Sequence, residues 1–123
     1  MIRKVVKIET SGGFPESKGV RYMGHIVSKE ELNGHGRLFA HTVLPSGSSV
    51  GWHQHERDTE PYYILRGEGD FIEGSSENEK KKTHVHAGQV CVINVGDWHS
   101  LENNSDGELE FMALIYNETG YLL

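Results

Sequence analysis

The stretch GSSVGWHQHERDTEPYYILRG, residues 47–67, decides how this chain is read. His53 and His55 are separated by one residue, and Glu60 comes five residues after His55. Alternate side chains of a strand share a face, so the two histidines point the same way. If the strand ran on, an odd step would turn Glu60 to the opposite face. The charged run Glu56-Arg57-Asp58-Thr59 lies between them and reads as a tight connection. With a turn there, Glu60 opens a new strand and can face the histidines again.

The pattern around this stretch is repetitive. Short runs rich in Val, Ile, Tyr, Phe and Thr are bounded by Gly, Pro, Asn and Ser from residue 37 to residue 116. Eight or nine short strands at regular spacing indicate an all-β sandwich or barrel. The closing strand shows how its faces divide. Leu109, Phe111, Ala113 and Ile115 form one apolar face that should meet the core. Glu108, Glu110, Met112, Leu114 and Tyr116 form the other, which starts charged, becomes apolar and calls for cover from a strand or a second subunit. The organisation expected is an N-terminal arm over residues 1–36, a barrel over 37–116 and a tail over 117–123. Within the arm, residues 1–8 alternate loosely as an edge strand and 21–28 form another. Ser28 and Glu31 form a capping box that supports one helical turn, ended by Gly34.

Composition narrows the function classes. The chain has 123 residues and a formal net charge of −6, which argues against a phosphate-binding surface and so against nucleic acid. The run Lys80-Lys81-Lys82 follows Glu77 and Glu79 and reads as a solvated turn. One cysteine, Cys91, allows no intrachain disulfide and reads as a buried structural thiol. No stretch has the apolar length of a signal peptide or a membrane span, so no membrane partner and a cytoplasmic setting are expected.

Eight histidines are an excess that needs an explanation. His99 follows the turn Gly96-Asp97-Trp98 at the start of a strand. With His53, His55 and Glu60 it completes three imidazoles and one carboxylate, a donor set for a divalent transition metal: Zn, Ni, Mn, Fe or Co. His84 and His86 repeat the H-x-H spacing without a carboxylate partner. His41, in the strand before residues 47–67, is a candidate acid or base lining the barrel. If Glu60 points inward, parity turns Tyr62 inward too, either to fill the core or to touch a ligand. Trp52 and Trp98 precede ligands and should face away from them. Gly47-Ser48-Ser49-Val50-Gly51 matches the G-x-S-x-G of a nucleophile elbow, but the next residues are strand-like and the chain is short for that fold. A serine hydrolase is rejected.

The two motifs together resemble those of the cupin superfamily, in its small single-domain, conserved-barrel form. Gly47, His53, His55, Glu60 and Gly67 match every anchor of the first motif. Gly88, Gly96, His99 and Asn103 match the second, in which Asn94 stands where the family has proline. The resemblance implies an antiparallel jelly-roll barrel, also called a double-stranded β-helix. It implies a metal inside the barrel on His53, His55, Glu60 and His99, with coordination sites left open for a small-molecule ligand or substrate. It also implies a homodimer formed through barrel strands or the arm, which in small cupins adds strands or swaps with a partner. The function expected is a metal-binding cupin: either a metal-dependent enzyme of the oxygenase, isomerase or lyase type, or a non-catalytic binding module. A metal that merely staples the barrel is the third reading, and the open coordination sites argue against it.

Overall fold

The computed structural model describes residues 1–11 and 14–117. Ten strands run in chain order: β1 (Ile8–Ser11), β2 (Val20–Val27), β3 (Gly36–Leu44), β4 (Ser49–Gln54), β5 (Glu60–Arg66), β6 (Glu68–Gly74), β7 (Lys81–His86), β8 (Val90–Ile93), β9 (Trp98–Glu102) and β10 (Leu109–Tyr116). They form a six-stranded sheet in the order β1-β2-β3-β10-β5-β8 and a four-stranded sheet in the order β4-β9-β6-β7. Every described pairing is antiparallel. The two sheets face each other as a jelly-roll barrel, as expected. The expected tail lies outside the described residues except for Asn117.

The apolar alternation places the core between the sheets. Leu109, Phe111, Ala113 and Ile115 of β10 are all buried, while Glu110, Met112 and Leu114 on its other face are half-buried. Leu44, Tyr62, Ile64, Phe71, Val85, Cys91, Ile93 and Leu101 join this face in the inner cluster. Full burial of a side chain such as Ile64 or Phe111 contributes about 2 kcal/mol. The same parity sends Tyr63, Leu65, Val90 and Val92 to the outside, where each is substantially exposed.

Two glycines hold turns that other residues would strain. Gly67, between β5 and β6, has φ +85°, and a Cβ there would sit 2.2 Å from the Glu108 carbonyl oxygen. Gly96, in the turn before β9, has φ +89°. Both fall in the left-handed region that costs an L-residue about 1–2 kcal/mol. The Asn103 side chain closes the end of the barrel from a fully buried position. Its Nδ2 donates to the carbonyls of Leu44 and Gly107, and its Oδ1 accepts from the Ser105 backbone N–H and hydroxyl.

The arm differs in detail from its sequence pattern. The edge strand β1 runs over Ile8–Ser11 rather than residues 1–8, because its pairing with β2 begins at Ile8↔Met23. The capping box forms as read: Ser28 N–H donates to Glu31 Oε1 at 2.8 Å, and Glu31 N–H donates to Ser28 Oγ at 3.2 Å. The helical turn is 3-10 (Glu30–Leu32) and ends at Asn33, itself left-handed at φ 55°, one residue before Gly34. Among the described residues no helix is long and apolar enough to cross a membrane.

Candidate metal centre

The site is assembled from both sheets. β4 supplies His53, and its continuation supplies His55. β9 supplies His99, which lies directly opposite His53 in the ladder. Glu60 opens β5 in the other sheet, after a turn over residues 56–59 that reverses the parity as the spacing suggested. The backbone fixes this corner. His55 N–H donates to the Asp97 carbonyl, and Gly96 N–H donates to the His55 carbonyl. The glycine turn before β9 is thereby tied to the H-x-H segment.

One donor atom from each of His53, His55, Glu60 and His99 lies within 4.8 Å of the other three. His55 Nε2 is 3.0 Å from His99 Nε2 and 2.9 Å from Glu60 Oε1, and His99 Nε2 is 3.4 Å from Glu60 Oε1. An ion bonded at about 2.1 Å holds neighbouring right-angle donors about 3.0 Å apart, so these separations suit a first-row metal. His55, His99 and Glu60 are almost completely buried.

Proton positions agree with ligation. His53 Nδ1 lies 2.7 Å from the Gly51 carbonyl, which can only accept, so Nδ1 carries the proton and Nε2 turns a lone pair inward. His55 Nδ1 lies 2.6 Å from Asp58 Oδ1, which fixes the same tautomer. His99 Nδ1 is buried and has no hydrogen-bond partner among the described residues.

Burial holds the His53 imidazole down at about 4 and pushes His99 well below the usual histidine value. Burial also opposes charge on His55, but the Glu60 and Asp58 carboxylates together outweigh it and raise its pKa. Burial raises Glu60. Asp58 goes the other way: burial would raise it, yet hydrogen bonds from Arg37 and His55 keep it low. Two neutral imidazoles, a third that binds a proton readily and a buried carboxylate make a group that could hold a divalent cation.

A cavity of about 180 Å³ opens beside His53, His55 and Glu60. Its walls include Phe14, Arg21, Met23, Arg37, Thr42, Tyr62 and Phe111. Tyr62 is buried beside Glu60; burial and the neighbouring Glu60 charge push its phenol well above its ordinary value. The parity that puts Thr42 against the cavity turns His41 to the other face of β3, where Nε2 is 2.5 Å from Glu110 Oε1. His84 pairs with Asp70 on the outside of the four-stranded sheet, away from the site. Trp52 and Trp98 stack on each other at 6.0 Å on the outer face.

The sequence pattern left four contributors unmarked: Asp58, Arg37, Phe14 and Arg21. Asp58 sits inside the turn read only as charged, yet it is buried and bridges His55 to Arg37, whose Nε is 2.8 Å away. An acid three residues after an H-x-H histidine is the local signal for it. Phe14 comes from the arm and lies flat on His53, with ring centroids 3.7 Å apart and planes 3° apart. No spacing rule connects these two residues. Arg21 reaches the cavity from β2, its guanidinium 5.9 Å from the centre of the Phe14 ring.

This barrel, with its glycine turns and buried histidine–glutamate group, is that of a cupin. The cupin domain family model matches residues 40–115, and the chain belongs to that family. Among characterised relatives, the oxalate-binding protein of Thermotoga maritima is 46% identical over 98 residues, spanning 80% of this chain and 77% of its own. A crystal structure from the same organism, described as a predicted oxalate decarboxylase, superposes with a TM-score of 0.82 at 40% identity over 93% of this chain and 94% of its own. A cupin 2 conserved barrel domain protein from Rhodopseudomonas palustris shares the fold alone, with a TM-score of 0.71 at 15% identity over 91% and 71% of the two chains.

Proposed function

We propose that this cupin binds a small chelating dicarboxylate, of the oxalate type, at a divalent transition metal held by His53, His55, Glu60 and His99. The observation that carries the reading is the pairing of that donor group with two arginines, Arg21 and Arg37, in the wall of one small cavity. An anion that bridges from the ion toward a guanidinium satisfies both ends of the site. A volume of about 180 Å³ is below the range of about 300–1,000 Å³ typical of drug-sized ligands, which favours a ligand of few atoms. The relative named for oxalate binding supports the same chemical class.

A metal held by His53, His55, Glu60 and His99 would supply a Lewis-acidic centre for the ligand's carboxylate oxygens. The protein's own residues do the rest. Asp58 keeps the His55 proton on Nδ1, Gly51 does the same for His53, and Phe111, Ala113 and Ile115 line an apolar wall.

A second reading, turnover of the dicarboxylate, is favoured by Tyr62. Its phenol stays protonated across the ordinary pH range and lies against Glu60, so it is a proton-bearing group inside the cavity. His41, paired with Glu110 on the outer face, would have to act through the sheet. A homodimer is part of the proposal, supported by the exposed Tyr63, Leu65, Val90 and Val92 on the outer face of the large sheet.

The test is calorimetric titration of Mn²⁺-loaded protein with oxalate and with acetate, followed by assays for carbon dioxide release and oxygen uptake. Saturable oxalate binding that disappears on metal removal is expected. Equal affinity with and without metal would overturn the reading, and turnover would decide for the enzyme.

A further inference from the structure

Residues 14–20 form a strap that is stitched to the start of β4, over the very Gly-Ser-Ser-Val-Gly segment that mimics a nucleophile elbow. Neither serine has the surroundings of a nucleophile. Ser48 Oγ accepts the Val20 N–H at 3.3 Å, and Ser49 Oγ accepts the Lys18 N–H at 3.0 Å. Ser49 N–H donates to the Lys18 carbonyl, and Gly51 N–H donates to Ser17 Oγ at 2.8 Å. The strap lies so close that a Cβ on Gly51 would sit 1.9 Å from the Pro15 carbonyl oxygen. Ser17 N–H bonds back to the Phe14 carbonyl and closes the turn that carries the ring.

The strap therefore delivers one side chain to a defined place. Phe14 lies parallel to His53 at van der Waals distance and forms part of the cavity wall. The carbonyl of Gly51, whose N–H holds the strap, also accepts the His53 Nδ1 proton. The ring position and the imidazole orientation thus share one anchor. Next to the ring, Arg21 brings positive charge to the same wall.

Building on the dicarboxylate reading, we propose that Phe14 is a specificity-determining residue: its ring closes the cavity over His53 and limits the ligand to a two- or three-carbon acid. A chelating acid with a longer tail needs the space that the ring fills. The Ser48, Ser49 and Gly51 contacts are what keep the ring from yielding. A void left by its removal in so small a cavity would be filled by the ligand tail.

The experiment compares oxalate with 2-oxoglutarate, a five-carbon chelating acid, by calorimetry on Mn²⁺-loaded protein, with bound metal quantified in each sample. Wild type should prefer oxalate. Phe14→Ala should lower the ratio of oxalate to 2-oxoglutarate affinity at least 10-fold while keeping its metal, and Phe14→Trp, which retains a ring, should keep the wild-type preference or sharpen it. A ratio within twofold of wild type in metal-loaded Phe14→Ala overturns the proposal. Loss of metal from Phe14→Ala but not from Phe14→Trp would also overturn it, making Phe14 a positioning residue for His53 instead. If wild type binds neither acid, the dicarboxylate reading itself falls. If wild type binds oxalate and only the Phe14→Ala ratio stays unchanged, that reading stands and the size limit alone is wrong.

Discussion

The Nε2 atoms of His55 and His99 face each other at 3.0 Å inside the barrel, and Glu60 Oε1 sits within 3.4 Å of both. Two imidazole nitrogens this close repel through their lone pairs unless a proton or a cation lies between them. The two histidines come from neighbouring strands of the small sheet, β9 and the continuation of β4, and the carboxylate comes from the other sheet. Filling the centre should therefore tie the sheets together. Replacing His53, His55 or His99 by Ala should remove most bound metal, and metal addition should raise the Tm of wild type but not of these variants. Full occupancy in any one of them, measured by elemental analysis, would remove that residue from the ligand set.

Proton competition should be narrow. His53 at about 4 and His99 well below its ordinary value are already neutral at pH 6, so neither must lose a proton to bind metal. His55, whose pKa is raised, is the imidazole that must. Metal affinity should fall as pH drops through the neutral range with a slope of about one proton, and steepen at lower pH as the buried Glu60 carboxylate, whose pKa is raised, and then His53 near pH 4 take up protons. Calorimetry in buffers of differing ionisation enthalpy counts the protons released; three per metal near pH 6 would contradict this account. In the metal-free protein the signs oppose. His53 and His99 contribute stability above about pH 6.5 that is lost as pH falls toward their depressed values. Protonated His55 contributes stability at low pH that is lost as pH rises through its raised value.

Asp58→Asn tests the Asp58–His55 bond. The amide can present its NH₂ to Nδ1 and so favour the wrong tautomer, and Arg37 loses its charged partner. Metal affinity should fall roughly 10- to 100-fold while the fold is retained. An unchanged metal Kd would show that the His55 tautomer is set elsewhere.

Two substitutions probe the barrel rather than the site. Gly67→Ala forces a left-handed alanine against the Glu108 carbonyl and should cost about 2 kcal/mol. Asn103→Ala strands the Leu44 and Gly107 carbonyls and the Ser105 N–H, a loss of about 3 kcal/mol. Denaturant melts report both, and wild-type midpoints would contradict the assignment of these residues to structural roles.

The legibility of this chain in its sequence was uneven for physical reasons. Strand alternation is local, so the inward face of β10 and the inward turn of Tyr62 follow from parity alone. The parity break between His55 and Glu60 was also informative, because a turn is the simplest way to cancel an odd step. Proximity between distant segments is not local. Phe14 meets His53 because the strap crosses β4, and Arg37 meets Asp58 from β3, 21 residues away in sequence. Nearness in sequence misleads where parity does not: His41 lies one residue from the cavity-lining Thr42, and alternation puts its side chain on the other side of the sheet. The family resemblance covered the barrel and had nothing to offer on the strap.

β10 lies between β3 and β5 in the large sheet. Until it is in place, β3 and β5 each present a bare hydrogen-bonding edge, and Tyr62, at the site, lacks Ala113 beside it in the ladder. During synthesis the segments bearing all four donors leave the ribosome before residue 109 does. The barrel must therefore wait for the last strand it receives, with the nascent chain exposed to aggregation meanwhile. A chain that stalls before Leu109 would carry the entire donor set and still lack the centre of its large sheet.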